Sequence, residues 1–561
     1  MSEQPARSTK GRLGDRLVAL GKLTDEELQV ALKEQRRFHR PLGEIVVSLG
    51  FVAEEDVSRL LAEEMGFGFV TANEVDPDPL ILSAVDPEFV REVGAFPLSL
   101  HDGVLRIVML DPGDPRRVAA VRERFPYALE FSLTTARDLD ALARRYLQSN
   151  TCHVAELLGG LDGEREAGFP VEAVANAILV DAINRHATDI HIEPEERVSR
   201  LRYRVDGILQ SGESLPATAT AAIVSRFKVL SNLDVSERRR PQDGRLRFQQ
   251  DDRRVDLRVS IMPSTHGENL VMRVLDAGGS TGIPRLGRVG LPSGVQSLLH
   301  TITRRPHGLF LVTGPTGSGK TTTLYAMLGE VDAMRRKVAT IEDPVEYRQP
   351  LLRQSQVDRS IEFDFEQGLR SLLRQDPDVV LVGEIRDPQT AEMAVRASLT
   401  GHLVLSTLHT NTAVGVVPRL LDMGLEPYLL EDTLIGAMSQ RLVRTNCPSC
   451  IERSAATDAE RAWLGVDAAV LARGLGCDAC DHTGYLGRTC IQEMFLTDEV
   501  TGAAIRRSAG ADEVAQLAQA SGYRPMEEDG KRLVRAGETT MEEILRVGRG
   551  HRLTRSEREV V

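Results

Sequence analysis

The sequence has no apolar run of about 18 residues or more, the length a membrane-crossing helix needs, so no transmembrane helix is predicted. Its first residues, MSEQPARSTKGR, lack the apolar stretch of a secretory leader. The expectation is a cytoplasmic chain that meets a membrane only through a partner. Positive charge is also short: 69 Lys and Arg stand against 82 Asp and Glu, a net −13. That balance argues against a general nucleic-acid binder, and no direct nucleic-acid binding is expected. Cysteine is scarce, with six in 561 residues, and four of the six fall in two C-x-x-C pairs. In an intracellular chain such pairs favour a metal over disulfides. The apolar share of 42% and the charged share of 27% are those of ordinary globular domains.

At 561 residues the chain is too long for one core, so three or more domains are expected. It opens with two units of 24 residues, RLGDRLVALGKLTDEELQVALKEQ (12–35) and PLGEIVVSLGFVAEEDVSRLLAEE (41–64), separated by five residues. In each, Leu-Gly near the start and a later Gly precede a helical apolar pattern. Acidic residues after Thr or Ala mark the helix starts. Residues 1–70 are therefore predicted to be a helical repeat module. Residues 71–148 mix short strands with Gly/Pro turns and a helix and read as a small α/β module. Residues 149–168 carry glycines and charges without periodicity and read as a linker. Residues 169–284 read as a sheet-and-helix domain, in which TDIHIEPEERVSRLRYRVDGIL alternates like two strands about a charged turn. Arginine is dense here despite the acidic whole. From 285 to 561 strands alternate with helices, the signature of a parallel-sheet α/β domain.

The segment GLFLVTGPTGSGKTTTLYAML is the strongest signal. An apolar strand runs into Gly314, Pro315, Thr316, Gly317, Ser318, Gly319, Lys320, Thr321 and Thr322, and then into a helix. This is G-x-x-x-x-G-K-[ST] in its strand-loop-helix context. Gly317 and Gly319 let backbone N–H groups turn around phosphates, and the helix N-terminus adds partial positive charge. Lys320 reaches the β- and γ-phosphates, and the Thr321 hydroxyl can ligate Mg²⁺. A glycine turn before a helix is the bland alternative, and the Lys-Thr register with a strand in front disfavours it. Three further apolar strands end in titratable residues: ATIEDPVEY at Glu342 and Asp343, VVLVGEIRD at Glu384, and TGHLVLSTLHTN with His402 before the strand and His409 after it. Open α/β sheets bind ligands at the carboxyl ends of their strands. The VVLVGEIRD strand is expected to lie beside the phosphate-loop strand.

GPTGSGKTTT, TIEDPVEY, LRQDPDVVLVGEIRD and TGHLVLSTLHTN resemble, in order, the four nucleotide motifs of the secretion ATPases, the motors of type II secretion and type IV pilus assembly. ATDIHIEP, RYRVDG, RPQDGR and MPSTHGENLVMRVL resemble the preceding domain of that family. The resemblance implies an α/β fold: a RecA-like P-loop motor domain, preceded by a PAS-like α+β domain and small N-terminal helical and α/β modules. It implies ATP and Mg²⁺ as cofactors, a homo-hexamer, and an inner-membrane platform or adaptor protein as partner. By the same resemblance Glu384 holds or orients the Mg²⁺ shell with Thr321, Glu342 activates the attacking water, and His409 senses the γ-phosphate with His402 nearby. Arg258 and Arg273 resemble arginines that the adjacent domain sends toward the nucleotide, with Arg245 as a further candidate. A motor for DNA uptake or conjugation, or a cyclic-dinucleotide sensor with degraded catalysis, are the alternative readings.

Cys447, Cys450, Cys477 and Cys480 form C-x₂-C-x₂₆-C-x₂-C, with DAERAWLG suggesting a short helix inside the spacer. Two such knuckles can surround Zn²⁺, and a redox dithiol is the alternative. The resembled assembly ATPases carry a tetracysteine insert, here residues 445–490. Cys152 and Cys490 are expected to be ordinary thiols. The N-terminal repeats resemble a domain that binds cyclic di-GMP. The resemblance would place that ligand at Arg12, Leu13, Gly14 and Gln35, while the second unit carries Pro41 and Glu64 at the positions of Arg12 and Gln35. A helical module for docking a partner is the alternative.

Overall fold

Each N-terminal repeat folds as a pair of helices, Leu13–Ala19 with Asp25–Phe38 and Leu42–Ser48 with Glu54–Met65. The start of the second helix is fixed by Thr24 and Glu27. The Thr24 backbone N–H donates to Glu27 Oε2 at 2.8 Å, and the Glu27 N–H donates to Thr24 Oγ1 at 3.2 Å. Leu17, Leu28, Ile45, Val46, Val57 and Leu60 meet in one small core, which explains the shared apolar spacing of the two repeats. The computed structural model describes residues 13–548, apart from 144–152, 160–168, 251–252, 276–284 and scattered positions between 39 and 141. Arg12 and Cys152 therefore lie outside the described residues. The chain divides into two units, Met1–Gly282 and Ile283–Val561.

In the first unit, β1 (Gly68–Phe69), β2 (Ala95–His101), β3 (Val104–Met109) and β4 (Ala128–Leu133) form a sheet in the order β1-β4-β3-β2. The stretch expected to be a linker contains a helix, His153–Gly159. The N–H of Val154, near its first turn, donates to buried Asp181 at 3.1 Å. That partner stands on the next helix, Val171–Asn184, where periodicity within residues 149–168 cannot reveal it.

A second, antiparallel sheet follows, made of β5 (Asp189–Pro194), β6 (Val198–Val205), β7 (Ile208–Pro216), β8 (Gln242–Gln250), β9 (Arg253–Ser264) and β10 (Gly267–Leu275). Its order is β7-β6-β5-β10-β9-β8. The dense arginines fall into a row across it. Arg245, Arg258, Arg273, Asp189 and Arg204 are successive cross-strand partners on β8, β9, β10, β5 and β6. Direct partners share a face, so all five project to one side. The alternate residues Leu257, Val259, Met272, Ile190 and Tyr203 pack the other side with Ile178 and Phe227, from the helices Val171–Asn184 and Ala217–Leu230. Like charges directly opposite one another destabilise a sheet. Asp189, buried within the row, relieves this by accepting from Arg273 Nε at 3.0 Å.

The second unit is built on β11 (Gly308–Thr313), β12 (Val338–Glu342), β13 (Arg353–Gln356), β14 (Val379–Val382), β15 (Leu403–Leu408) and β16 (Leu434–Asn446). After β16 come the hairpin strands β17 (Ile451–Ala455) and β18 (Val470–Gly474), then β19 (Tyr485–Leu496). The main sheet has the order β13-β12-β14-β15-β11-β16-β19, parallel throughout except for β19. Strands β11, β14 and β15 are buried along their whole length, as expected of strands covered on both faces. The strand β14 does not lie beside the phosphate-loop strand β11, contrary to the sequence expectation. β15 stands between them, paired to both. The helix Pro388–Leu399 carries the chain from β14 to its next-door position, and an unbroken apolar run says nothing about which strand fills which place.

Candidate nucleotide site and cysteine cluster

Because β11, β12, β14 and β15 are parallel, their carboxyl ends share one edge of the sheet. Residues 314–319 leave that edge after Thr313 and end at the helix Lys320–Leu328. Lys320 Nζ donates to the carbonyls of Gly314 and Pro315, each at 2.9 Å, so the ammonium is drawn over the loop. Burial lowers its pKa to about 8, against the pull of Glu384. Thr321 is exposed at the loop mouth. Glu384, two residues past the end of β14, takes Arg386 Nε at 2.7 Å and lies 3.8 Å from His409 Nε2. Burial and the Lys320 charge hold the His409 pKa below its ordinary value. A Cβ on Gly383 would sit 3.3 Å from both Glu342 Cα and the Ile341 carbonyl, so the glycine before Glu384 lets β14 and β12 end side by side.

The edge therefore brings Lys320, Glu384 and His409 together. His402 is not among them. It precedes β15, its Nδ1 lies 2.9 Å from the Ala397 carbonyl, and the strand that separates it from His409 is about 20 Å long at about 3.3 Å per residue.

Glu342 is 3% exposed, and both of its oxygens are engaged. Oε2 accepts from Tyr325 at 2.5 Å, and Oε1 accepts from Thr340 at 2.6 Å and Gln354 at 3.3 Å. Burial nevertheless raises its pKa, with Glu346 nearby adding to the rise. Glu346 itself is exposed, four residues on in the same EDPVEY segment. The segment thus carries three carboxylates, Glu342 at the end of β12, Asp343 and Glu346, of which only Glu342 is buried.

Sequence reasoning also missed Gln440, which lies on β16 far along the chain and has no motif of its own. It is 1% exposed and bonded to the phosphate loop at Ser318 and to the helix behind it at Thr323.

Arg258 and Arg273 belong to the first unit. Arg258 Nη2 is buried there without a hydrogen-bond partner, and Arg273 is held by Asp189. In the N-terminal repeats, Leu13 and Gly14 begin the first helix and Gln35 Nε2 donates to the Arg40 carbonyl at 3.2 Å. Glu64 accepts from Arg16 Nη1 at 3.2 Å.

The four cysteines converge at the end of β16. Their sulfurs lie within 4.8 Å of one another. Cys447–Cys477 and Cys450–Cys480 are 3.9 Å apart and Cys477–Cys480 is 3.8 Å. A tetrahedron with metal–sulfur bonds of about 2.3 Å has edges of about 3.8 Å, so the set fits Zn²⁺. Backbone N–H groups of Gly476, Cys477 and Gly484 point at Cys450 and Cys480 sulfurs at 3.2–3.3 Å, the donors a thiolate needs. Burial alone would raise the Cys480 thiol, but the N–H groups of Cys477 and Gly484 outweigh it and bring it to about 7. Inside the spacer, Asp458–Leu464 is the expected short helix, opened by a Thr457–Glu460 capping box.

The family model described as "Type II/IV secretion system protein" matches residues 164–546, and the one described as "MshEN domain" matches residues 65–151. The chain is 38% identical to a type II secretion system protein E of Xanthomonas campestris pv. campestris, over 96% of this chain and 99% of that one. It is 46% identical to a type II secretion system ATPase E of Vibrio cholerae, over 68% of this chain and 76% of that one. It is 35% identical to the type IV pilus assembly ATPase PilB of Thermus thermophilus, over 96% of this chain and 66% of that one.

Proposed function

The chain belongs to the type II/IV secretion system protein family, and on that premise we propose that it is an ATP-hydrolysing motor of a type II secretion machine. The observation that carries this is the meeting of Lys320, Glu384 and His409 at the mouth of the 314–319 loop, on the carboxyl edge of a parallel sheet. Type II secretion is favoured over pilus assembly because that relative matches nearly end to end, whereas the chain spans 66% of the pilus relative.

Phosphoryl transfer is catalysed mainly by positioning and charge neutralisation. The loop amides and Lys320 bind the phosphates. Thr321 and Glu384 would hold Mg²⁺, which when bound neutralises charge on the phosphates. His409, next to Glu384, contacts the terminal phosphate. Glu342 is braced inside the sheet, so Glu346 is the carboxylate that orients and deprotonates the attacking water. Arg258 and Arg273 supply the additional positive charge, a contribution worth about 10³–10⁵ in rate in related chemistry. Within the first unit, buried Asp189 holds the Arg273 guanidinium. The four cysteines would hold Zn²⁺ as a structural clip. The working form is a homo-hexamer docked on an inner-membrane platform or adaptor protein. Among the described residues no helix is long and apolar enough to cross a membrane.

The reading is tested by ATP hydrolysis of the full chain, assembled and supplied with its membrane partner; absence of turnover there overturns it. Lys320→Ala is expected to raise the nucleotide Kd by about 10- to 100-fold, the loss of charge-assisted hydrogen bonds. The depressed lysine pKa adds a pH signature. The ammonium is present below about 8 and lost above it, so wild-type ADP affinity should fall as pH rises through that value, and Lys320→Ala should abolish this slope.

For the N-terminal repeats, a cyclic di-GMP site is the finer reading. It stands on Leu13, Gly14 and Gln35, and on Arg12 outside the described residues. The second repeat offers Pro41, which has no side-chain donor, and Glu64, already taken by Arg16. A calorimetric titration with cyclic di-GMP is expected to show at most one half-site engaged. A flat titration would leave the module as a docking element for the partner.

A further inference from the structure

The strand β16 crosses behind the phosphate loop in parallel register with β11, Thr313 opposite Ser439. Gln440 follows directly, where the loop leaves the sheet. Its Nε2 donates to the Ser318 carbonyl at 2.6 Å, and its Oε1 accepts from Thr323 Oγ1 at 2.9 Å. These bonds span 122 and 117 residues of sequence. The Ser318 carbonyl only accepts, so the amide orientation is fixed and cannot flip. The loop is packed hard against this side chain and its backbone. A Cβ on Gly314 would fall 2.4 Å from the Gln440 carbonyl oxygen, and one on Gly319 would fall 3.0 Å from Gln440 Nε2. Both glycines have positive φ, 137° and 85°. Gly314 thus lets the loop pass close to the backbone of β16, and Gly319 lets it pass close to the Gln440 side chain.

The geometry points to Gln440 as the positioning residue of the phosphate loop. Its amide ties the carbonyl side of Ser318 to the sheet and ties the loop to the first turn of the helix behind it. That leaves the amide side of residues 316–320 to face a phosphate. The loop is glycine-rich and would otherwise sample many conformations. A loop that must be ordered when the ligand arrives binds more weakly than one ordered in advance. Gln440 therefore acts on nucleotide affinity without touching the nucleotide. The bond also joins the loop to a strand that ends at Asn446, beside the first cysteine of the metal cluster.

This inference rests on the reading of residues 314–321 as the phosphate site. The probe is ADP, titrated against full-length Gln440→Ala, Gln440→Glu and Thr323→Val at a temperature where circular dichroism shows each folded. Gln440→Glu keeps the shape but cannot donate to Ser318, and it adds a negative charge beside a polyphosphate site. Gln440→Ala is expected to weaken ADP binding by about 10- to 100-fold, as a buried carbonyl left without its donor implies. Gln440→Glu should weaken it at least as much, and Thr323→Val less. In the ATPase assay KM should rise while turnover at saturating ATP stays within about threefold, the mark of lost uniform binding. A purely structural role predicts a lower melting temperature with unchanged Kd and KM. Wild-type ADP affinity in a folded Gln440→Ala overturns the inference. If the Gln440 variants do not fold, wild-type affinity in Thr323→Val overturns it. If wild type itself binds no ADP, the phosphate-site reading fails and this inference with it.

Discussion

Glu346→Gln is expected to lower ATP turnover by about 10²–10⁴-fold, the usual worth of a general base, while ADP affinity stays near wild type. Glu342→Gln is expected to keep turnover within about tenfold and to cost about 1 kcal/mol of stability. The two residues stand four apart in one segment, and their environments decide between them. A base needs an oxygen within hydrogen-bond reach of a water. Both Glu342 oxygens already accept from Tyr325, Thr340 and Gln354, and the residue is almost wholly buried. Its raised pKa would suit a base, but the cause is burial, and burial also keeps water away. The Tyr325 hydroxyl, whose own pKa burial and Glu342 push far up, stays protonated and keeps donating. Tyr325 stands on the helix Lys320–Leu328, so the Glu342 cluster braces that helix against β12. The amide introduced by Glu342→Gln can still accept from one hydroxyl, which is why the predicted cost is modest. Single-turnover hydrolysis of the two variants separates the roles. Loss of turnover in Glu342→Gln with retention in Glu346→Gln would return the water to Glu342.

What could be read from the sequence follows how far apart the cooperating residues are. The phosphate loop was legible because its parts are contiguous: strand, glycines, Lys320 and helix occupy one stretch. The cysteine cluster was legible because two short pairs carry their own geometry. The arginine row was half legible. Arg200, Arg202 and Arg204 alternate and so share one face of β6, but the partnership of Arg245, Arg258 and Arg273 depends on strand register. Strand order was not legible, because β14 and β15 are both buried along their whole length and neither burial nor an apolar run says which strand fills which place. His402 and His409 looked like neighbours, yet a strand of six residues sends its two ends to opposite edges of the sheet. Gln440 carried no signal, since its partners lie more than 100 residues away and its neighbours on β16 are ordinary strand residues.

Removing the metal from the cysteine cluster is expected to unfold the segment between Cys447 and Gly484 while leaving the phosphate-loop sheet intact. Apart from the metal, the segment is held by one apolar patch and a few polar contacts, among them Lys531 over the Trp463 ring. Its hairpin is two-stranded, and β17 is exposed at every position. An isolated two-stranded hairpin is marginal in water at best. Its apolar anchorage is one patch: Ala456, Leu464 and Leu471, with Trp463, Val466 and Ala469 beside them, against Val443, Ile491, Leu533, Val534 and Ile544. Asn446 and Arg535 add one hydrogen bond each, to the carbonyls of Ala472 and Leu464. Structural zinc is worth about 10–16 kcal/mol in small peptides. Disulfides are a poor substitute, since the sulfurs stand 3.8–3.9 Å apart and a bond needs about 2.05 Å. Elemental analysis of the purified full chain should find one zinc per chain. Chelation, or Cys447→Ser with Cys480→Ser, should make residues 451–475 rapidly exchanging in hydrogen exchange, while 308–313 and 379–382 keep their protection. Thiolates hold the metal and protons compete for them, so zinc retention should fall as pH is lowered. The strand β16 runs from the Gln440 contact to the first cysteine, so ADP affinity after chelation gives a second readout on the same sample. A chain that contains no zinc and whose segment exchanges no faster after chelation would show that the four thiols are packed together for another purpose.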